Sequence, residues 1–294
     1  MNELPFISVV IPVWNGAEAI AVCLRAIGEQ TYPRELYEVF VVDNGSLDNT
    51  REVVRSFPFA TLLLEPEAGS YRARNRGLAA AQGEVVAFTD ADCIPDRDWL
   101  TAAARAARQY PSAGVLAGHI QLVRAGRDGS DACERYERLF SFNQARTVAR
   151  YGVCTTANWL SPRALLTDLG GFDGALKSGG DSKLARQIRG AGHPIVYVPT
   201  MLVQHPIRGT LRELAQKQRR VVGGRWAMRR YRFALLRWLG IHCREFAAKA
   251  KVILLEPHLS AGDKLRTAFV AAYLAMITVS ELVEVALGRD PRRS

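Results

Sequence analysis

None of the five cysteines in this chain of 294 residues stands in a Cys-x-x-Cys pair, and their number is odd. A disulfide framework and a zinc site are therefore not expected, and free thiols fit a reducing compartment. The opening MNELPFISVVIPVW lacks a basic stretch and a cleavage site, so it reads as a first strand and not as a leader. No repeat or low-complexity tract stands out, which sets aside solenoid and disordered classes. The apolar stretch 268–280, AFVAAYLAMITVS, is short of the ~20 residues that cross a bilayer as a helix, and Glu281 and Glu284 follow it. It is expected to be a packed or interfacial helix.

Acidic residues are scarce in one segment. Between Arg208 and Lys251 there are thirteen Lys or Arg and only two acids, Glu213 and Glu245. That is a net +11 against +10 for the whole chain, so the rest is nearly neutral. A localised basic segment implies an anionic partner, such as a membrane face, a nucleic acid or a phosphorylated substrate.

What is present is an alternation of strand and helix signals over the first two hundred residues. Apolar runs at 6–13, 38–42, 60–64 and 84–89 predict strands. Residues 17–30, 48–56, 70–82 and 98–109 predict helices between and after them. This order implies a mainly parallel sheet covered on both faces, with ligands at the C-terminal strand ends. Asn15, Asp43, and Asp90 with Asp92 all fall at such ends. Residues 110–205 are less regular, with a helix near 181–190 and a strand at 194–198. Composition shifts after His205-Pro206, so a boundary is placed at 206. That gives a domain over 1–206, with a donor half of about 1–110 and an acceptor half of about 111–206, followed by a basic helical region over 207–294.

Asp90 and Asp92 come at i and i+2 after an apolar strand, so an extended segment projects both carboxylates to one side. Two such carboxylates repel unless a cation lies between them. Oxygen ligands of this kind select Mg²⁺ or Mn²⁺, ions that share coordination with substrate phosphates. An Asp-rich turn capping the next helix is the alternative. Asp43 fits a ribose or nucleobase contact, or an ordinary Asp-Asn-Gly turn. Arg74, with Asn75, fits phosphate or base pairing, or a solvated basic helix face. Asp181, after Gly179-Gly180, fits a general base or a helix N-cap, and spacing leaves both open. His205 alone reads as structural.

Taken together and in order, these segments resemble the family-2 inverting glycosyltransferases of GT-A fold, from about Ile7 to His205. SVVIPVWNG is similar to that family's first strand and nucleotide-contacting loop, which assigns Pro12, Val13 and Asn15 to the donor. VDNGSLDNT places Asp43 at the base-binding aspartate, and GSYRARNRGL corresponds to the arginine–asparagine helix. FTDADC corresponds to the D-x-D motif, with Asp90 and Ala91 on the nucleotide sugar and Asp92 with Asp90 on the metal. The string from Thr156 to Pro206 follows the acceptor-side pattern. The resemblance implies that Asp181 is the base and that His205 joins the metal or diphosphate. One departure is Gly180 where the family often has Glu before the catalytic Asp. The Q-x-x-R-W motif of processive synthases is absent, since Val222 stands three before Arg225.

The resemblance implies a metal-dependent hexosyltransferase, using Mn²⁺ or Mg²⁺ and a UDP- or GDP-linked sugar. The expected acceptor is a hydroxyl, lipid-linked or membrane-borne, in cell-surface polysaccharide or glycolipid synthesis. A helix over 225–239 would set Arg225, Arg229 and Arg232 beside Met228, Tyr231, Leu235 and Leu239, with Trp226 and Trp238 nearby. That pattern suits an anionic membrane surface at the cytoplasmic side, and no nucleic-acid motif accompanies the charge. Two rivals are a sugar nucleotidyltransferase and a non-catalytic membrane-bound scaffold. The first needs a Gly-rich, basic loop after the first strand, which PVWNGAEA lacks. The second is disfavoured by intact Asp90, Asp92 and Asp181.

Overall fold

The computed structural model describes residues 4–124, 130–227 and 234–289. They form two compact units. The first holds residues 4–123, 142–175 and 180–206; the second holds 124, 130–141, 176–179, 207–227 and 234–289.

The first unit is built on one eight-stranded sheet. Its strands are β1 (Ile7–Val13), β2 (Tyr37–Asp43), β3 (Ala60–Leu64), β4 (Val85–Thr89), β5 (Ile94–Pro95), β6 (Val115–Val123), β7 (Asn158–Pro162) and β8 (Ile195–Pro206). The order is β3-β2-β1-β4-β7-β6-β8-β5. β1 to β4 are mutually parallel, as the strand–helix alternation predicts. β7 then runs antiparallel to both β4 and β6, and β5 antiparallel to β8, so the sheet as a whole is mixed. β6 and β7 fall where the sequence looked irregular, and β8 runs on to His205 and Pro206, well past the expected 194–198.

Helices α1 (Ala17–Gly28), α2 (Thr50–Arg55), α3 (Ser70–Ala80) and α4 (Trp99–Gln109) follow the parallel strands. A near-continuous apolar run buries β1 apart from Pro12, as a strand covered on both faces requires. α3 lies close on β1 because Gly77 has no side chain: a Cβ there would stand 2.3 Å from Val10 Cγ1. The turn of the chain through β7 is held by Asn158, fully buried. Its Oδ1 accepts from Trp99 Nε1 at 2.9 Å, and its Nδ2 donates to the carbonyls of His119 and Met201 at 2.9 and 2.8 Å. One amide therefore ties α4, β6, β7 and β8 together, with every strong hydrogen-bonding atom used.

The second unit contains α5 (Asp131–Phe140). The first unit continues with α6 (Gln144–Tyr151), α7 (Arg163–Asp168) and α8 (Gly180–Gly190). α9 (Leu211–Ala227), α10 (Ala234–Leu255) and α11 (Ala261–Ala286) complete the second unit. Its core joins Tyr136 of α5, Leu214 of α9, Ile253 of α10 and Leu274 of α11. Buried Glu137 takes Arg208 Nη1 at 3.1 Å and Lys217 Nζ at 2.8 Å, and also accepts from the Arg208 backbone N–H. α11 is 26 residues long, twice the apolar stretch seen in the sequence, because its polar flanks join the helix. It is long and apolar enough to cross a membrane by length and composition, which is weak evidence on its own.

Of the expected basic–apolar helix over 225–239, Met228, Arg229, Tyr231 and Arg232 lie outside the described residues, as does the Leu235 side chain. Trp226 and Trp238, expected beside a membrane, instead pack on each other, with ring centroids 6.4 Å apart, and with Val222 and Leu282.

Candidate active site

The C-terminal ends of β1, β2 and β4 carry the residues expected on the donor side. β1 and β2 pair in register from Ile7↔Tyr37 to Val13↔Asp43, so Pro12 lies opposite Val42 and Val13 opposite Asp43. Asp43 is fully buried. Arg51 Nε stands 2.7 Å from its Oδ2, and the Ser46 N–H donates to both oxygens. A buried carboxylate must be compensated in this way, and the arrangement fixes its orientation at the strand end. Asn15 is left-handed, with φ 46°, a conformation that asparagine tolerates. Its backbone N–H donates to Ser46 Oγ, and its Oδ1 accepts from the Leu47 N–H at 2.8 Å. The loops after β1 and β2 are thus cross-linked. Asn44 extends the link: its Nδ2 donates to the carbonyls of Glu65 and Glu67, and its Oδ1 accepts from the Gly69 N–H before α3.

Asp90 follows β4. Arg74 Nη2 of α3 reaches its Oδ1 at 2.5 Å; Arg74 is almost wholly buried and the aspartate about a third exposed. The Arg74 Nε is buried without an acceptor among the described residues. Asn75, one residue on, has a structural role. Its side chain exchanges two hydrogen bonds with the backbone of Phe172, at 2.7 and 2.8 Å, and so holds the loop before α8.

Asp92 and His205 meet because of strand register. β5 begins two residues after Asp92 and pairs antiparallel with β8, Ile94 opposite Gln204. An irregularity in the β6–β8 ladder between Gly118 and His119 advances β8, so that Leu122 pairs with His205. Asp92 Oδ2 stands 3.5 Å from His205 Nε2. The other imidazole nitrogen, Nδ1, lies 2.8 Å from the Pro206 carbonyl, which can only accept. In the neutral ring Nδ1 therefore carries the proton and Nε2 presents its lone pair towards Asp92, the tautomer a metal ligand needs. The His205 ring lies 4.3 Å from that of Phe142, whose φ of 54° is unusual for a bulky residue. Among the described residues Asn15 and Phe142 alone, apart from glycines, have positive φ, and both border this site.

The ligand atoms of Asp92, Cys93 and His205 lie within 4.8 Å of one another. Cys93 is a poor member of that set. Burial pushes its thiol well above the ordinary range, and its Sγ–H faces the Ala157 carbonyl at 3.7 Å. The remaining donors are carboxylate oxygen and imidazole nitrogen, which suit Mn²⁺ or Mg²⁺. Asp90 is engaged by Arg74 on one oxygen, so the structure brings Asp92 and His205 together and sets Asp90 beside Arg74.

Asp181 stands in the first turn of α8, not at its cap. Its Oδ1 accepts from the Ser182 N–H at 2.7 Å and from the Tyr71 hydroxyl at 3.4 Å. Burial raises its pKa; the Asp90 charge adds to that, while the Ser182 N–H, Arg74 and Tyr71 oppose it. Arg74 and Tyr71 of α3 thus contact Asp90 and Asp181 respectively, so one helix reaches both carboxylates. Gly180 leaves room for Tyr71: a Cβ there would stand 2.7 Å from the ring. The Glu that the family often has at this position would meet Tyr71. Tyr71 itself stacks on Phe172 at 5.7 Å, and its hydroxyl is held protonated by burial and the nearby Asp181. Tyr71 and Arg51 were not singled out in the sequence. Tyr71 was legible as the residue three before Arg74 on the same helical face; Arg51 carries no signal beyond its closeness to Asp43.

The sequence model of glycosyl transferase family 2 matches residues 8–168. Glycosyltransferase AglE of Haloferax volcanii is 36% identical over 252 residues, covering 81% of each chain. Among solved structures, the mannosyltransferase PcManGT from Pyrobaculum calidifontis, in complex with GDP-Man and Mn²⁺, has a TM-score of 0.58 at 24% identity, covering 98% of this chain and 77% of that one. TarS 1–349 of S. aureus, in complex with UDP, has a TM-score of 0.57 at 17% identity, covering 97% and 93%. The strand-end cluster and these matches agree: the chain belongs to glycosyl transferase family 2, with the GT-A fold and a C-terminal helical region. It is a glycosyltransferase.

Proposed function

We propose that this enzyme transfers a sugar, with inversion, from a UDP- or GDP-linked donor to a hydroxyl of a lipid-linked or membrane-borne acceptor, at the cytoplasmic face of the cell membrane. The observation that carries the reading is that one helix, α3, reaches both carboxylates: Arg74 pairs with Asp90 at 2.5 Å and the Tyr71 hydroxyl donates to Asp181 at 3.4 Å. The domain division expected at residue 206 goes with it, the first part doing the chemistry.

Asp43 binds the nucleobase or ribose, fixed by Arg51 and Ser46, while Pro12, Val13 and Asn15 line the loop beside it. Arg74, Asp90 and Ala91 face the diphosphate and sugar, and the unmatched Arg74 Nε supplies a further donor. Asp92 and His205, with the second oxygen of Asp90, would hold Mn²⁺ or Mg²⁺, which neutralises charge on a leaving diphosphate. Asp181 accepts the proton of the acceptor hydroxyl as that oxygen attacks the anomeric carbon. Tyr71 donates to Asp181 and orients it. The GDP-Man with Mn²⁺ and the UDP in the two related structures support the donor class.

A panel of UDP- and GDP-sugars, each with Mn²⁺, with Mg²⁺ and with chelator, tests the reading. Release of nucleoside diphosphate from at least one donor, abolished by chelator, is expected. Release from none of them, or equal release with chelator, overturns it.

A further inference from the structure

The outer face of α11 carries a continuous apolar stripe. Leu265, Phe269, Met276, Val279, Val283 and Leu287 are all exposed, from 40% to 83%. At 100° per residue they fall within about 40° of one line and extend ~33 Å along the helix. The opposite face is packed: Val270, Ala271, Leu274, Leu282 and Val285 are buried. That packed face also carries polar ties. Gln218 Nε2 donates to Thr278 Oγ1 at 2.7 Å, and at the helix start Arg135 pairs with Asp263 at 2.8 Å. A helix crossing a bilayer would have to give these up. The stripe has company at its start, where Lys264 Nζ donates to the Leu254 carbonyl and exposed Leu254 and Leu255 end α10.

The charge around the stripe selects its occupant. Arg237, Arg244 and Lys251 recur every seven residues along α10 and are exposed. Exposed Arg266 adjoins the stripe at one end and Arg289 at the other. An anionic bilayer complements both these exposed cations and the apolar line.

We propose that α11 lies in the plane of an anionic membrane surface, its stripe inserted at the headgroup–acyl boundary and the α10 cations on the lipid headgroups. This deepens the membrane-borne acceptor reading above and names the contact face, which the sequence alone placed on residues 225–239.

The test is flotation of the full-length enzyme with vesicles of phosphatidylcholine alone, or of phosphatidylcholine with phosphatidylglycerol. The wild type is expected to float only with the anionic vesicles and to be stripped by alkaline carbonate. A Phe269→Glu/Met276→Glu variant with unchanged Tm loses binding by about tenfold or more. Arg244→Gln/Lys251→Gln weakens it and flattens its salt dependence. Flotation of the Phe269/Met276 variant equal to wild type overturns the proposal, as does carbonate-resistant insertion. A wild-type dimer in solution that the same variant dissociates, with no vesicle binding, also overturns it. Donor turnover in solution is read separately: its absence with intact flotation counts against the proposed activity and leaves the surface standing.

Discussion

At the scale of single residues the site depends on how each carboxylate is compensated. Asp43 is buried and held by Arg51 and Ser46, Asp90 is shared with Arg74, Asp92 faces His205, and Asp181 is left with two donors and a raised pKa. A carboxyl whose folded pKa lies above its ordinary value favours the fold at low pH and loses that contribution as pH rises through the raised value. At pH 7 the ionised Asp181 is therefore a cost to folding. Asp181→Asn is expected to hold or raise Tm at pH 7, with the gain vanishing below the ordinary aspartate range; calorimetry at both pH values checks this. Turnover of the wild type should fall on the acid side at a pH above that range, because the base must be ionised. Asp92→Asn and His205→Ala are each expected to weaken Mn²⁺ affinity by about 10–100-fold, as read by titration, with nucleotide binding in chelator unchanged. These residue types and their order were legible in the sequence. Of their partners only Tyr71 had a spacing signal, three residues before Arg74, because Arg51 and Phe142 reach the site through folding.

At the scale of elements, the parallel half was legible because short continuous apolar runs alternate with helical segments and end in turns. The mixed half was obscure for a physical reason. β7 is NWLSP, whose polar Asn158 and Ser161 are buried and satisfied by hydrogen bonds, so the strand lacks an apolar signature. β8 contains an irregularity, so its period is broken at 199–201. Asn158→Leu would leave the Trp99 N–H and two carbonyls unpaired and is expected to destabilise the first unit by about 3 kcal/mol or more. Gly77→Ala sets a methyl against Val10 and is expected to cost about 1–3 kcal/mol. Denaturant melts measure both. In the second unit, Glu137→Gln removes the carboxylate charge that both Arg208 and Lys217 contact. The loss is expected near 3 kcal/mol, the lower end for a buried pair, since both cations are about a quarter exposed.

At the scale of the whole molecule, the charge distribution and the family order were readable, and the exposed apolar line was not. The basic stretch drew attention to 225–239, but Trp226 and Trp238 of that stretch are packed inward. The exposed apolar line instead runs along α11, where only the packing of its other face reveals it. What remains central is chemical: the proposal that one carboxylate, Asp181, takes the acceptor proton. The direct measurement is turnover of Asp181→Asn with whichever nucleotide sugar the wild type uses, alongside donor binding by calorimetry. The account predicts turnover lowered by about 10²–10⁴ with donor affinity kept. Turnover equal to wild type, in a variant that binds the donor as well, would contradict it.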